Sequence, residues 1–378
     1  MMIRVLRYIV KLTLIRIVGA FSKVKENRVL ILSEVRKQLG GNLQMLDEAI
    51  SPKDYEKVYY LKESRQTKTK FKEKIKEYKL LCTSEYILLD DFSSCVSFMK
   101  PKPNQKIIQL WHGAGAYKTF GLSRNDKHPN MIMKYLTHRN YTRAIVTSEE
   151  IRWCYAEGFG MNVDNVIACG YPRTDIFFDK KYITKKRKEL FAKYPKFKNK
   201  RIIMFAPTYR GIKLPESYYD YDQLDVDNIY KKLNKDYIFI VKWHPGLIVD
   251  KKRKEFNEKI KKYPDFYYDF TSYRDINDLL LITDVLVTDY SSVIFDYLLV
   301  NKPIVYFTYD KKEYDKDRGF YYPFDDYVYG EIAENSDELI KAIKKDNMMN
   351  DKREEFNKKF MSACDGHATK KTYDMIFK

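Results

Sequence analysis

The sequence has few of the residues that build disulfide frameworks and metal sites. Among its 378 residues are five cysteines, an odd number with no CxxC pair, and five histidines with no HExxH motif. This excludes a disulfide scaffold and the common zinc spacings, and it fits a reducing compartment. A P-loop GxxxxGK[ST], a Ser-centred nucleophile elbow and a carboxylate cluster with metal-ligand spacing are also absent. We therefore expect neither a metal nor a cofactor.

Long apolar runs without charge are also missing. The most apolar segment, MMIRVLRYIVKLTLIRIVGAFSKVK, carries too many cations for a membrane-spanning helix and has no signal-peptide cleavage site. Arg4, Arg7 and Lys11 fall on one helical stripe and apolar residues cover the rest, which is typical of a basic amphipathic helix at a membrane surface. The alternative is a helix that packs on the protein's own core.

Positive charge and aromatic side chains are abundant. Lys and Arg outnumber Asp and Glu by 70 to 52, giving a net charge of +18. This excess favours anionic partners such as nucleotides, polyphosphates or an acidic membrane, although it also suits a merely soluble surface. No recognised nucleic-acid motif occurs, so we expect no nucleic-acid partner. The 33 tyrosines and 22 phenylalanines lie in periodic segments and indicate core and cleft walls.

The length and the periodicity predict two α/β domains. Short β-branched or aromatic runs alternate with longer helical stretches, which is the pattern of βαβ units and parallel sheets. Two helices should follow residue 335. The predicted strands are 28–33, 57–61, 86–91, 106–110, 143–148 and 165–170, then 201–207, 237–245, 266–270, 284–289 and 302–307. Open parallel sheets bind ligands beyond the carboxyl ends of their strands, so functional residues should follow strands directly.

Two histidines occupy such positions. LWHGAGAYKTFG, residues 110–121, places His112 after a strand, with glycines that let the backbone approach a ligand and with Lys118 nearby. IFIVKWHPG repeats the arrangement with Lys242 and His244, and the two histidines could meet across a cleft. Trp243 is interpreted as a packing residue. A histidine here suits general base catalysis, and the alternative for each is a structural core histidine.

Hydroxyl and guanidinium groups follow other strands. In DVLVTDYSSVIFDYLL, Ser291 is a good N-cap, and the turn predicts a phosphate cradle or ordinary capping. Arg173 in GYPRTD and Arg210 in FAPTYR could each bind phosphate oxygens, or each could brace a loop through a salt bridge. Arg318 begins an aromatic, acidic segment over 318–331 that is either a lid or a plain surface loop.

Together these motifs resemble the CDP-glycerol glycerophosphotransferase family of teichoic acid synthesis. WHG…K..G, GYPRTD, FAPTYR, KWHP, TDYSSVIFD, RGFYY and DGHAT occur in the family's order over about residues 105–370. The resemblance implies a GT-B arrangement of two facing Rossmann-like domains, peripheral at the cytoplasmic face of the membrane. It implies transfer of glycerol phosphate from CDP-glycerol to a lipid-linked saccharide or polyol-phosphate acceptor, with release of CMP.

The resemblance also implies a domain plan. We expect a membrane-surface helix over 1–25, an acceptor-side domain over 26–180, a CDP-polyol-binding domain over 181–350, and a C-terminal helix over 351–378 that packs back on the N-terminal domain.

Individual residues gain roles from the resemblance. His112 would be the general base, and His244 would steady the diphosphate or the departing CMP. The implied donor-binding residues are Gly113, Ala114, Gly115, Ala116, Arg173, Pro207, Thr208, Arg210, Lys242, Trp243, Thr288, Ser291, Ser292 and Asp296, with Lys118 and Arg318 as additional candidates.

The sequence departs from the commonest family pattern after the first histidine. It has GAGAYKTFG where many members have a stretch closer to GTPLK. Such variants resemble a branch that includes ribitol-phosphate transferases, so CDP-ribitol is the alternative donor, and a GT-B nucleotide-sugar glycosyltransferase is a further alternative. The chain shows no large additional N-terminal domain like that of the long polymerases, so a primase is expected at least as much as a polymerase.

Overall fold

The structure is a computed structural model that describes residues 2–64, 67, 69–124, 137–211, 216–244, 246, 247 and 249–378. For residues 2–7 and 316–318 the backbone alone is described. The helices are α1 (Met2–Ala20), α2 (Gly41–Ala49), α3 (Phe71–Thr83), α4 (Ser94–Phe98), α5 (Arg152–Phe159), α6 (Lys180–Lys193), α7 (Val226–Leu233), α8 (Lys251–Lys261), α9 (Ile276–Leu280), α10 (Val293–Leu298), α11 (Lys311–Arg318), α12 (Ser336–Lys345), α13 (Asn350–Phe356) and α14 (Ala368–Phe377).

Twelve strands build two sheets in the described part of the chain. They are β1 (Lys25–Ser33), β2 (Glu56–Leu61), β3 (Ser84–Leu89), β4 (Lys106–Gln109), β5 (Arg143–Ile145), β6 (Val166–Ile167), β7 (Arg201–Phe205), β8 (Tyr237–Val241), β9 (Tyr267–Asp269), β10 (Val285–Thr288), β11 (Ile304–Phe307) and β12 (Glu331–Ala333). The chain folds into two compact units, one of Met1–Asp175 with Lys359–Lys378 and one of Ile176–Lys358.

The first unit contains a six-stranded parallel sheet in the order β2-β1-β3-β4-β5-β6. Leu30 of the central strand β1 pairs with Val58 on one side and Ile87 on the other, and it is fully buried. An interior strand of a parallel sheet is covered on both faces, which explains its continuous apolar sequence. The sheet therefore forms the core of this unit and fixes where its strands end.

Helix α1 packs against α3 and α4 of the first unit with one face. Ile15 on that face is 1% exposed, and Tyr8 contacts Phe98 edge to face. Lys11 also points inward, where its Nζ donates to Ser94 Oγ at 2.5 Å. The predicted outward basic stripe is therefore wrong at Lys11, because polar groups inside the unit bind its ammonium. The side chains of Arg4 and Arg7 lie outside the described part of the chain.

Two lysines, Lys11 and Lys62, lie near the buried carboxyl groups of Glu34 and Glu77. Burial alone would lower the pKa of Lys11, but the neighbouring Cys95, Glu34 and Glu77 raise it above its ordinary value. Lys62 lies 3.1 Å from Glu77 and 3.7 Å from Glu34. A buried carboxylate is tolerated only when a nearby positive charge compensates its negative charge. The cluster therefore fixes α1 to α3 and α4 through charge as well as through packing.

The second unit contains another six-stranded parallel sheet, in the order β12-β11-β10-β7-β8-β9. All five residues of β8 are buried, as expected for an interior strand. Helix α12 begins after Asn335, whose Oδ1 accepts the Glu338 N–H, and it ends with two lysines, which complements the helix dipole.

Strand β12, of only three residues, was not among the predicted strands. The C-terminal helix predicted over 351–378 is divided in the structure, since α14 follows the second of the two predicted C-terminal helices as a separate helix. That second helix is α13, continued by a π-helical segment over Asn357–Met361. In the described part of the chain, no helix combines the length and apolarity that crossing a membrane requires.

Candidate active site

A strained turn carries His112 in the first unit. The turn follows β4, and Trp111 in it adopts a left-handed backbone with φ of 51°. The buried Asn42 on α2 donates to the carbonyls of Leu110 and Trp111, both at 3.1 Å. Gln109 Oε1 accepts the Trp111 N–H at 2.9 Å. A non-glycine residue keeps this conformation only where its surroundings enforce it, so these contacts determine the direction of His112.

The ring of His112 is exposed and is held by a contact at Nδ1. Its Nδ1 lies 3.1 Å from the carbonyl oxygen of Asp90, and 47% of its side chain is exposed. A carbonyl can only accept, so we infer that Nδ1 carries the hydrogen and Nε2 the lone pair. The carboxylate of Asp91 lies 4.0 Å from Nδ1, where it stabilises an imidazolium. An exposed Nε2 acceptor beside a carboxylate is the arrangement of a general base.

Two tyrosines hold the glycine turn after His112. The Tyr155 hydroxyl is 2.7 Å from the Gly113 carbonyl and 2.6 Å from the Gly115 carbonyl. The Tyr171 hydroxyl also donates to the Gly113 carbonyl, at 3.1 Å. Gly115 has φ of 63°, a conformation that favours glycine, and its N–H donates to Thr147 Oγ1.

The alanines of this turn need a correction. Ala114 and Ala116 were predicted to contact the donor, but their side chains are 2% exposed and lie in the interior of the unit. Only their backbone can take part in binding. Lys118, further along the segment, is half-buried.

Arg173 lies beside His112, so the structure brings these two predicted residues together. Its guanidinium donates to the His112 carbonyl and lies 5.4 Å over the Tyr171 ring. Its backbone N–H donates to Asn42 Oδ1 at 3.1 Å. The next acidic residue of GYPRTD, Asp175, accepts the N–H groups of Ala368 and Thr369. It thereby caps α14 and joins the GYPRTD and DGHAT motifs.

In the second unit, Lys242 follows β8. Its side chain is 7% exposed, and its Nζ donates to the Thr271 carbonyl at 3.0 Å. Burial lowers the pKa of Lys242 below its ordinary value, although Asp269 and Asp275 partly oppose the shift. Trp243, predicted to bind the donor, is 1% exposed and packs against Phe205 and Phe256. This burial fits its interpretation as a packing residue, and its contact with the donor stays a prediction.

His244 is exposed, and its Nδ1 makes the opposite kind of hydrogen bond from Nδ1 of His112. Its Nδ1 accepts the Gly246 N–H at 3.0 Å. A lone pair therefore lies on Nδ1, and in the neutral ring Nε2 carries the hydrogen. The Tyr209 ring lies 4.9 Å from the imidazole. This histidine is set to donate a hydrogen bond rather than to accept a proton at Nε2.

Arg210 braces loops of the second unit. It is 5% exposed, its Nη1 pairs with Asp289 at 2.7 Å, and its Nε and Nη2 bind Asp310. Four tyrosine rings surround the guanidinium at 5.0 to 5.4 Å, those of Tyr219, Tyr290, Tyr309 and Tyr314. Burial alone would lower the pKa of Arg210, but the carboxylates raise it. Its contacts match the loop-bracing alternative rather than donor binding.

The serine turn is held by buried contacts on its strand side. Thr288, predicted to bind the donor, is fully buried, and its hydroxyl donates to the Ala206 carbonyl at 2.7 Å. This contact occupies the hydroxyl hydrogen of Thr288, and donor binding by this residue stays a prediction. Ser292, not Ser291, occupies the N-cap position of α10, while Ser291 Oγ accepts the Val293 N–H at 3.4 Å. Both serines are half-buried, so their hydroxyls can reach a ligand.

The remaining candidates lie around this turn. Thr208 is 6% exposed and its N–H donates to Asp289 Oδ1 at 2.7 Å. Pro207 is buried, and Asp296 on α10 is 4% exposed. Arg318 ends α11, and its side chain lies outside the described part of the chain.

Several positioning residues were not recognised in the sequence. Asn42, Tyr155 and Tyr171 hold the His112 segment, and Asp289 binds both Thr208 and Arg210. Asp289 belongs to the TDYSS motif, so the sequence did contain a motif that could have indicated this residue. Asn42 stands 70 residues before His112 in a stretch with no motif, so nothing in the sequence indicated it.

Each unit thus has a parallel sheet with candidate residues directly after its strands, which is the organisation of GT-B-like proteins. A structure of the Wall Teichoic Acid Polymerase TagF matches 99% of this chain and 96% of its own, with a TM-score of 0.76 at 23% identity. A co-structure of S. aureus MnaA with UDP covers 93% of this chain and 96% of its own at a TM-score of 0.59 and 12% identity. At these identities the likeness concerns the fold: the chain is a GT-B-like α/β protein, and the predicted fold class is confirmed.

The family is established by sequence. The model of the CDP-Glycerol:Poly(glycerophosphate) glycerophosphotransferase family matches residues 14–378, so the chain belongs to that family. The teichoic acid poly(ribitol-phosphate) polymerase of Bacillus spizizenii is 40% identical over 357 residues, 93% of this chain and 56% of that protein. The teichoic acid glycerol-phosphate primase of Bacillus subtilis is 29% identical over 273 residues, 71% of this chain and 67% of the relative. The chain thus spans little more than half of the first relative.

Proposed function

We propose that this chain transfers ribitol phosphate from CDP-ribitol to a hydroxyl of a lipid-linked or polyol-phosphate acceptor in teichoic acid synthesis and releases CMP. Family membership supports the transfer of a polyol phosphate. Four relatives named for ribitol phosphate are 32% to 40% identical to this chain, whereas four named for glycerol phosphate are 25% to 31% identical. The observation that carries the chemistry is the setting of His112, with Nδ1 directed to the Asp90 carbonyl at 3.1 Å.

The proposed reaction is a single displacement at phosphorus. The acceptor oxygen attacks the donor phosphorus that bears the polyol, and the bond from that phosphorus to the bridging oxygen of CMP breaks. The acceptor hydroxyl loses its proton to His112 Nε2, and Asp91 offsets the resulting positive charge. CMP departs with the electron pair of the broken bond. The new phosphodiester joins acceptor and polyol.

Other candidate residues of each unit would contact phosphate groups. In the second unit, Lys242 supplies a cation, and Ser291 and Ser292 supply hydroxyls for phosphate oxygens. His244 would donate from Nε2 to the diphosphate or the departing CMP, which stabilises charge that grows during the reaction. In the first unit, the Arg173 guanidinium donates to the His112 carbonyl. It would therefore position the base as well as contact phosphate.

CDP-glycerol is the second candidate donor. The family description and the relatives named for glycerol phosphate favour it. A nucleotide-sugar glycosyltransferase would release a nucleoside diphosphate instead of CMP, so the leaving group separates it from both polyol-phosphate transfers. Primase and polymerase activity differ only in the number of units added.

We also propose that the protein acts at the cytoplasmic face of the membrane as a peripheral protein. The net charge of +18 suits both an anionic surface and an anionic product.

A donor screen tests the function. The purified chain is incubated with CDP-ribitol, CDP-glycerol or UDP-N-acetylglucosamine and a primed polyol-phosphate acceptor, and nucleotides are separated by chromatography. We expect acceptor-dependent CMP release that is fastest with CDP-ribitol. Faster release from CDP-glycerol would replace the donor assignment and keep the reaction. UDP release without CMP would overturn the phosphotransfer.

A further inference from the structure

An arginine without a role in the proposed reaction lies close to the candidate base. Arg36 follows β1 at the carboxyl end of the sheet, where β3 leads to Asp90 and β4 leads to His112. Arg36 Nε lies 3.0 Å from the Asp90 carboxylate, and the Asp90 carbonyl oxygen lies 3.1 Å from His112 Nδ1. Arg36 is therefore separated from the imidazole by a single residue, at the end of the sheet where ligands bind.

The outer nitrogens of Arg36 remain open. The side chain of Asp90 is 3% exposed, whereas that of Arg36 is 32% exposed. Asp90 approaches Arg36 most closely at Nε. Within the residues that the structure describes, Nη1 and Nη2 of Arg36 make no hydrogen bond. The ion pair with Asp90 thus holds the arginine in place and leaves donors for an anion.

A second guanidinium group reaches the same place. Gly41, the first residue of α2, has a left-handed backbone with φ of 57°. A Cβ at this position would lie 3.7 Å from Arg36 Nη1 and 3.9 Å from Arg173 Cδ. The two arginine side chains therefore lie against the same face of Gly41. Arg173 also donates to the His112 carbonyl, so both cations border the segment that carries the candidate base.

The backbone around the two arginines is held by Asn42, the residue after Gly41. Its side chain is 3% exposed, donates to the Trp111 carbonyl at 3.1 Å and accepts the Arg173 N–H at 3.1 Å. One buried amide therefore joins the start of α2, the turn before His112 and the turn of Arg173. Cations held in this way lose little freedom when an anion binds, which favours affinity.

We propose that Arg36 and Arg173 bind a phosphodiester of a polyol-phosphate acceptor, an assignment that rests on the proposed function. A guanidinium group offers parallel N–H donors that match two phosphate oxygens. Arg36 adjoins His112 through Asp90, on the Nδ1 side of the ring, whereas the reacting phosphorus lies beside the acceptor oxygen at Nε2. The phosphate at Arg36 is thus the one that precedes the terminal polyol of the acceptor.

Binding of this phosphodiester needs no donor, so it can be measured apart from turnover. The probe is a ribitol-phosphate dimer, in which one phosphodiester joins two ribitols, and calorimetry gives its affinity. Arg36→Gln should bind it about tenfold more weakly, because charge-assisted hydrogen bonds are lost. The uncharged methyl phosphotriester of the dimer should bind the parent chain and Arg36→Gln equally.

Arg28→Gln is the matched control. Arg28 also forms an ion pair in the first unit, but it lies on β1 itself, and Glu56 binds its Nε and Nη2. The affinity of this variant for the dimer should equal that of the parent chain. Equal affinity of Arg36→Gln and the parent chain, or no preference of the parent chain for the dimer over the phosphotriester, would overturn the proposal.

A double variant separates anion binding from mere compensation of Asp90. Asp90→Asn removes the buried charge and keeps the backbone carbonyl that contacts His112. We expect Arg36→Gln combined with Asp90→Asn to bind the dimer about tenfold more weakly than Asp90→Asn alone. Equal affinity of these two variants would limit Arg36 to the neutralisation of Asp90 and overturn the proposal.

Steady-state CMP release distinguishes the acceptor from the donor. Arg36→Gln should raise the KM for the dimer about tenfold and leave the KM for CDP-ribitol unchanged. A rise confined to the donor KM would place Arg36 at the donor and overturn the acceptor assignment. Absence of CMP release from the parent chain would contradict the proposed phosphotransfer, whereas a loss of dimer affinity in Arg36→Gln would still show the anion site.

Discussion

The two units present a histidine in the same sequence context but with opposite hydrogen patterns. In the first unit His112 Nδ1 faces the Asp90 carbonyl at 3.1 Å, so Nε2 is an acceptor. In the second unit His244 Nδ1 accepts the Gly246 N–H at 3.0 Å, so Nε2 is a donor. A histidine directly after a parallel strand therefore has no fixed role. The neighbour of Nδ1 decides whether the ring takes a proton or donates one.

The largest expected effect is at His112. Glutamine can donate a hydrogen bond but cannot take a proton, so His112→Gln should reduce kcat about 10² to 10⁴-fold, the usual contribution of a general base. CMP release with saturating donor and acceptor measures it. The control is His367→Gln, an exposed histidine of the same unit. Near-normal turnover of His112→Gln would remove the general base role and with it the contrast between the two rings.

Buried cations give the next comparison. Arg210→Ala leaves Asp289 and Asp310 without their cation, whereas Lys11→Ala leaves Lys62 beside Glu77. Arg210→Ala should therefore lower the free energy of unfolding by about 3 to 5 kcal/mol, because it leaves uncompensated charge, and Lys11→Ala should lower it by less. Urea denaturation measures the loss. Lys312→Ala, at an exposed position of α11, should change it little. A loss below 1 kcal/mol for Arg210→Ala would refute the bracing role.

Replacement of His244 by glutamine should reduce kcat less than replacement of His112 by glutamine. Its side-chain amide can supply the donor that Nε2 provides, so His244→Gln should lose about tenfold in kcat and His244→Ala about 10²-fold. Steady-state CMP release separates the two variants. If His244→Gln is as inactive as His112→Gln, the ring acts as an acid or base and the proposed donor role is wrong.

The smallest expected effect is a pH dependence at two lysines. Burial lowers the pKa of Lys242, so it loses its charge at a lower pH than an ordinary lysine, and the donor KM should rise with pH there. Between the lowered pKa of Lys242 in the folded chain and the ordinary lysine pKa, the unfolded chain binds more protons than the folded chain. The free energy of unfolding therefore rises with pH in this range. The pKa of Lys11 is raised, so its contribution is present below the ordinary lysine value and is lost as pH rises through the raised value.

Lys242→Arg is the matched variant, because arginine stays charged throughout the range. Its donor KM should be flat between pH 7 and 10. A rise identical to that of the parent chain would assign the dependence to another group.

Much of the scaffold was predictable, because apolar β-branched runs mark the buried strands of parallel sheets. β8 and β10 lie inside the predicted ranges, and candidate residues do follow strands. β12 was missed because its residues, Glu331–Ala333, do not form an apolar β-branched run.

The contacts within the site were less predictable. Arg210 meets Asp289 and Asp310, which stand 79 and 100 residues further along the chain. Local sequence gives no sign of such partners, so loop bracing and phosphate binding could not be told apart. The same holds for Thr288 and Trp243, whose burial depends on how neighbouring strands and loops cover them.

The first unit consists of two separate segments of the chain, and this affects how it folds during synthesis on the ribosome. Thr147 Oγ1 receives the N–H of Gly115 in the His112 segment and itself donates to the carbonyl of Phe360. Phe360 belongs to the stretch Lys359–Lys378, which is translated after the whole second unit. A nascent chain can therefore complete the second unit before the first, and the segment with the candidate base gains this anchor only after residue 360 has been translated.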